Sequence, residues 1–302
     1  MTIARALFQL LVFPGLLYAA PASWLMVWLE RKTAARLQNR LGPPFLQPFF
    51  DFVKLLAKRS LPRSGGQGFV LTALPVLAVA STLGALALLP VVPAVAGFSG
   101  DLVLLVALLE LPPLFGVLAG FATRSLYGEL GATREAVLSV AYSLPFLAAL
   151  IALATATGSL SLSVLAETPV WAVRAPALLA LALCLPVKLR VNPFSVANAE
   201  QEIYTGATTE YEGPRLALWE LAHGLEWVVL TGLWATMAFP VAAAWPVHMA
   251  AFVVISIALV LVVATVAAAT ARLKLAQATR VYLSWGLGIS ALALVIAMVL
   301  PS

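Results

Sequence analysis

Glu220, His223 and Glu226 stand at i, i+3 and i+6 in a segment that is otherwise almost wholly apolar. On an α-helix that spacing puts all three within an arc of about 120° on one face. Carboxylates and an imidazole so placed can pass a proton along, because their pKa values move across the physiological range. Glu-x-x-His also serves di-iron bundles, but those use two such motifs and further carboxylates. Here there is one copy, and the other histidine, His248, is expected on the opposite side of a membrane, so no metal site is expected in this chain. A structural hydrogen-bonded cluster between helices is the plain alternative.

The acids are concentrated. Six of the thirteen acidic residues fall between Lys188 and Glu226: Glu200, Glu202, Glu210, Glu212, Glu220 and Glu226. The first part of this stretch contains Asn192-Pro193 and Gly206 and reads as a polar loop over about 188–213. Glu110 lies deeper in the chain, amid leucines and beside Pro112 and Pro113, whose missing backbone donors suit a hydrated break in a helix. Arg134 and Glu135 are expected to open a helix, with Tyr142 and Ser143 extending a polar line inward from them. Glu30, Arg31, Arg36 and Arg40 cluster after the first apolar segment, where a basic anchor with a neighbouring acid is the bland reading. Asp101 is expected to be interfacial and inert.

The elements that must position these groups are helices in a bilayer. The chain has 302 residues, 62% hydrophobic and 10% charged, with mean hydropathy +1.01. Soluble domains carry roughly 25% charged residues. The composition implies an all-α polytopic membrane protein forming one integral membrane domain over 1–302. Apolar segments predict about eight spans: Ile3–Leu29, 69–91, 99–122, 131–157, 168–188, 213–239, 246–271 and 276–299. The first is too long for a signal-peptide core and has no cleavage site after it. Phe45–Arg59 is too short and too charged to span. Its apolar positions recur at helical spacing with Asp51 and Lys54 among them, so an amphipathic interfacial helix is expected at about 45–59.

Charge sets the orientation. Eight of the eighteen Lys and Arg lie between Arg31 and Arg63, and most others flank loops on the same side, leaving Arg5 and Arg174 for the other. The positive-inside rule then puts the charged loops in the cytoplasm and both termini outside. That topology explains the net +5 without a nucleic-acid partner. The single Cys184 cannot supply the thiolates an iron–sulfur cluster needs, so any redox centre belongs to partner subunits. No internal repeat is evident, which counts against a stand-alone secondary transporter.

Several of these motifs together resemble one family. Pro193, Phe194, Glu200, Glu202, Gly206, Thr209, Glu210, Tyr211 and Gly213 match, without gaps, the signature loop of the membrane subunit shared by respiratory complex I and the energy-converting nickel–iron hydrogenases. Glu30-Arg31-Lys32 with Gln38, Arg40, Gly42 and Pro43 is similar to a second motif of that family. Asp51, Lys54, Leu55 and Lys58 resemble its amphipathic helix, and Gly120, Tyr127, Gly131, Ala132 and Arg134 resemble another connection. Lys188-Leu189-Arg190 before Pro193, Arg134-Glu135, and Glu220 with His223 look more like the hydrogenase branch.

The resemblance implies a non-redox membrane anchor. Its cytoplasmic loops would dock an iron–sulfur small subunit and a catalytic large subunit, with iron–sulfur clusters and nickel–iron there and no cofactor in this chain. Antiporter-like membrane subunits would be its neighbours in a prokaryotic cell membrane. Proton-relay candidates are Glu110, Glu200, Glu202, Glu210, Glu220, His223 and Glu226. Docking or pocket candidates are Glu30, Arg31, Arg36, Arg40, Asp51, Lys54, Arg134, Glu135, Tyr142, Pro193 and Phe194. The chain departs from the family's pattern at Ser195, where Asp is usual, at Asn198 and Ser143, where acids are usual, and at Leu138, where the quinone-using branch has Gln. These departures weigh against the alternative, a quinone-site subunit of a complex I.

Overall fold

The apolar stretches fold into helices, and among the described residues there is no strand. The structure is a computed structural model describing residues 11–12, 15–60, 65–90, 100–167, 170–203, 205–239 and 245–300, with backbone only at 200–201 and 245–246. In chain order, α1 is Leu16–Leu37, α2 Gln47–Ala57, α3 Gly65–Leu88, α4 Asp101–Thr123 and α5 Leu126–Thr157. A single turn, α6, covers Leu162–Leu165, and α7 follows at Trp171–Lys188. The next segment holds α8 (Glu200–Ile203) and a 3-10 turn (Gly206–Thr208), and leads into α9 (Gly213–Ala238) and α10 (Trp245–Ala269). The last helix, α11 (Leu275–Val299), has a π-helical turn at Tyr282–Gly286.

Helix α9 is the centre. Its sequence is almost wholly apolar on every side beyond Glu226, and such a helix must be buried all round. Accordingly every residue from Gly224 to Leu233 is buried. Thr231 and Thr236 return their hydroxyls to Trp227 O (2.6 Å) and Leu233 O (2.8 Å), so neither asks the surroundings for a partner. Helices α1, α2, α3 and α10 pack on α9 from one side; α5 gathers α4, α7 and α11 on the other, with α3 against α4 closing the bundle. Gly224 meets Ser23 of α1 and Gly232 meets Phe252 of α10, so α9 approaches both neighbours closely.

Among the described residues six helical segments are long and apolar enough to cross a membrane: α3, α4, α5, α7, Val247–Ala269 of α10, and α11. The sequence count of eight also includes α1 and α9, of 22 and 26 residues, which are as long but carry charges. The expected first span falls partly outside the described residues. Where it is described, α1 runs on through Glu30 to Leu37, so Glu30-Arg31-Lys32 lies inside the helix and not in a loop. Trp24 packs on Phe49 and Phe52 of α2, and Trp28 Nε1 donates to Pro43 O (3.2 Å), which keeps this polar end against protein. The expected amphipathic helix is α2, shorter at each end than 45–59.

Other expectations change too. Helix α5 starts at Leu126, five residues before the expected 131, so Arg134 and Glu135 sit more than two turns inside it. Gly131 reads as a loop residue, but a Cβ there would lie 2.6 Å from Gly206 Cα; the glycine lets the polar segment approach the helix. Helix α4 runs unbroken through Pro112 and Pro113. Asp101 is buried, and its Oδ1 accepts the Leu162 N–H at 2.7 Å, tying α4 to α6 instead of sitting inert at an interface.

Candidate functional site

The end of α7 sends two cations into the bundle. Lys188 is its last residue, and Arg190 follows in a left-handed conformation (φ 52°) that a non-glycine residue seldom adopts. Lys188 Nζ lies 2.7 Å from Glu110 Oε1 of α4, and the Ser143 hydroxyl of α5 donates to Glu110 Oε2 at 2.8 Å. The Lys188 ammonium also sits over the rings of Tyr142 (4.8 Å) and Phe146 (4.5 Å). Both oxygens of Glu110 are therefore satisfied from neighbouring helices, and the acid is not left bare among leucines.

Arg190 makes a second node. Its Nε donates to Glu135 Oε1 of α5 at 3.3 Å, and its Nη1 lies 3.3 Å from Glu226 Oε2 of α9 and 3.5 Å from His223 Nδ1. His223 Nδ1 is in turn 3.3 Å from Glu226 Oε2. Burial alone would lower the Arg190 pKa, but the Glu226 and Glu135 carboxylates outweigh it and hold the guanidinium above its usual value. Tyr142 lies among Glu135, Glu110, Arg190 and Glu226, fully buried, with no hydrogen-bond partner for its hydroxyl. Cys184 is buried beside it, its thiol 3.8 Å from Tyr142 O. Among the described residues no three His, Cys, Asp or Glu side chains are placed to hold a metal ion.

A cavity of about 580 Å³ adjoins this node, bounded by Glu30 and Arg31 of α1, Asp51 of α2, Asn192, Ser195 and Asn198 of the polar segment, and Arg272. Glu220, His223 and Arg190 also line it. Along α9, Glu220 is exposed, His223 is half-buried and Glu226 is buried. The i, i+3, i+6 face thus runs from the cavity into the core.

The remaining sequence candidates divide. Glu202 pairs with Arg134 at 2.6 Å, and Arg134 also donates to Val196 O at 3.3 Å, so this pair fastens the polar segment to α5. Glu210 is exposed at the segment's end, and the side chain of Glu200 lies outside the described residues. Pro193 and Phe194 are buried, Phe194 against the Tyr282 ring at 4.8 Å. Asp51 accepts from Gln47 at 2.8 Å and lies 3.8 Å from Arg31. Arg36, Arg40 and Lys54 are exposed. Sequence reasoning used Lys188 and Arg190 as topology charges and as a branch mark, not as site residues. The signal that could have exposed them was the surplus of buried acids, each needing a cation.

The family model for NADH dehydrogenase matches residues 9–298. This chain belongs to the NADH dehydrogenase family. Hydrogenase-4 component C of Escherichia coli (strain K12) is 32% identical over 235 residues, covering 75% of this chain and 74% of the relative. Formate hydrogenlyase subunit 4 of the same organism is 31% identical over 236 residues, covering 72% and 73%. Among solved structures, a chain of the membrane-bound sulfane sulfur reductase, an archaeal respiratory membrane complex, superposes with TM-score 0.88 at 25% identity, covering 98% of this chain and 100% of that one.

Membership of the NADH dehydrogenase family gives the Ser195 departure a physical setting. The Ser195 hydroxyl donates to Asn192 Oδ1 and accepts from Arg272 Nε at 3.2 Å. Where an aspartate would make an ion pair with Arg272, this chain offers the guanidinium an uncharged hydroxyl.

Proposed function

We propose that this chain is the non-redox membrane anchor of a multisubunit, energy-converting, hydrogenase-type oxidoreductase, and that it couples electron transfer in peripheral subunits to proton or sodium translocation. The observation that carries this reading is the buried ionic network. Glu110, Glu135, Lys188, Arg190, His223 and Glu226 come from α4, α5, α7, α9 and the segment after α7, and His223 joins them to the cavity. Buried ion pairs are weak evidence for stability and are costly to keep, so a network of this extent in a bilayer has a function. The names of the two bacterial relatives support the hydrogenase branch.

In this reading α1 and α9 complete eight spans of one integral membrane domain, with both termini outside, in a prokaryotic cell membrane. An iron–sulfur small subunit and a catalytic large subunit, bearing iron–sulfur clusters and nickel–iron, dock on the cytoplasmic side, and antiporter-like subunits lie beside the chain in the bilayer. This chain contributes position and proton affinity. Charge arriving near Glu200, Glu202 and Glu210 changes their proton occupancy, and the change passes through Glu220, His223 and Glu226 towards Glu110. Two unit charges about 5 Å apart interact by roughly 3 kcal/mol at an effective dielectric near 20, enough for about two pKa units. Proton pumping by complexes carrying Glu202→Gln, Glu220→Gln or Glu226→Gln tests the relay. Unimpaired pumping in all three would sink it.

One observation favours a second reading, a quinone site. Trp24 lines both the polar cavity and an apolar groove of about 310 Å³ that Pro21, Leu25, Phe45, Leu46 and Phe49 complete. The two adjoin at Trp24, which would set an isoprenoid tail beside a polar headgroup site. Quinone reduction sensitive to a tunnel-blocking inhibitor would establish it, whereas hydrogen evolution from reduced ferredoxin would establish the hydrogenase branch.

A further inference from the structure

The buried cluster has an odd charge. Three carboxylates, Glu110, Glu135 and Glu226, meet two basic side chains, Lys188 and Arg190. With every acid ionised and His223 neutral, one negative charge would stand uncompensated where the dielectric is low, which is costly. The cluster can therefore take up one proton beyond its fixed cations.

His223 Nδ1 is the atom at which the arrival of that proton changes the bonding. It lies 3.3 Å from Glu226 Oε2 and 3.5 Å from Arg190 Nη1. A carboxylate only accepts hydrogen bonds and a guanidinium only donates them. A bare Nδ1 can thus be served only by Arg190, and a protonated Nδ1 only by Glu226. The other charged groups facing the ring are Glu30 of α1 and Glu220 of α9, with Arg31 across the cavity. Lys188 and Glu135 act through Glu226 and Arg190.

We infer that Arg190 is a positioning residue for proton uptake at His223. It holds the neutral ring with Nδ1 bare and the proton on Nε2, and it yields Nδ1 to Glu226 when a second proton arrives from the cavity. On uptake Arg190 keeps Glu226 and Glu135 and loses only the imidazole. Arg190 belongs to the segment that Arg134 and Arg272 fasten at Val196 and Ser195, so proton occupancy at His223 is tied to the wall of the cavity. The inference rests on the proton reading above and names the atom and its partner.

The sequence makes the test clean, because the chain has two histidines. The full chain, carrying a histidine-free affinity tag and 15N-labelled histidine, is placed in lipid nanodiscs and followed by NMR from about pH 5 to 9; His248→Asn assigns the two imidazoles. In the wild type, neutral His223 should have bare Nδ1 and protonated Nε2, and should become doubly protonated on acidification. Arg190→Met removes the donor and leaves Glu226, so neutral His223 should change to the Nδ1-protonated tautomer. Arg190→Lys keeps a donor and should hold Nδ1 bare. A wild-type neutral ring protonated at Nδ1, or a tautomer unchanged in Arg190→Met, overturns the inference. The wild-type tautomer decides the matter even if Arg190→Met fails to fold. Pumping by the Glu226→Gln complex is a separate measurement, so normal pumping with the expected His223 behaviour would fault the relay and leave the tautomer assignment standing.

Discussion

The Lys188 ammonium lies 2.7 Å from Glu110 Oε1, and its side chain is 3% exposed while that of Glu110 is 28% exposed. A sealed amine thus faces an acid that stays partly exposed. Removing one partner of such a pair leaves the other charge uncompensated, at a cost of about 3–5 kcal/mol. Glu110→Gln should be the costlier change, because it strands the more deeply buried Lys188; Lys188→Met strands an acid that water partly reaches. The double variant should recover most of the loss. Thermal unfolding of the four proteins in nanodiscs measures it, and additive losses in the double variant would contradict the pairing.

Ser195→Asp should put an ion pair where the Arg272 guanidinium now donates to an uncharged hydroxyl. The site is only half-buried, so the gain is that of a screened pair, about 0.5–1 kcal/mol at most. It should appear as slower amide exchange over 189–198, shrink in high salt, and vanish when Arg272→Gln is added. Exchange that is unchanged, or faster, would mean that the hydroxyl's bond to Asn192 matters more than Arg272.

Gly131→Ala tests how the polar segment is seated on α5. The new Cβ would lie 2.6 Å from Gly206 Cα and 2.9 Å from Ala207 N, both backbone atoms with no flexible end to move aside. Overpacking of that kind costs about 1–3 kcal/mol. The Arg134–Glu202 pair sits one turn further along α5, so the expected result is faster proteolytic nicking between 200 and 212 with the membrane helices intact. An unchanged cleavage rate would show that the segment is held elsewhere.

The helices were legible because apolar runs in this chain have no other way to satisfy their backbone in lipid, and the i, i+3, i+6 face of α9 was legible because helical spacing is rigid. The cations were not. Lys188 and Arg190 obey the positive-inside pattern as well as any solvated loop charge would, and composition does not say that their stems turn inward. Arg174 misleads in the same way: it reads as an outer-face charge but is buried, donating to Met237 O (2.7 Å) and Ala166 O (3.0 Å). Glu202 shows the converse: it reads as one acid of a relay, and the sequence gives no sign of the 2.6 Å tie to Arg134 that fastens it to α5.

Tyr142 separates structure from proton handling. Its hydroxyl is buried among Glu135, Glu110, Arg190 and Glu226 and has no protein partner. A buried hydroxyl in that position either remains unsatisfied, at a cost of about 1–3 kcal/mol, or binds an internal water that bridges the Lys188–Glu110 node to the Arg190 node. Tyr142→Phe discriminates between these. If the hydroxyl is unsatisfied, the variant should be as stable as the wild type or more so, with pumping unchanged. If it holds a bridging water, the variant should melt within about 1 kcal/mol of the wild type, because the ring still packs under Lys188, while proton pumping per electron falls. The ionic network favours the second outcome, since water is the only carrier that could join two nodes linked by no direct hydrogen bond. Pumping stoichiometry in proteoliposomes, measured beside thermal stability, settles it; full coupling in Tyr142→Phe would leave Glu110 outside any route that begins at His223.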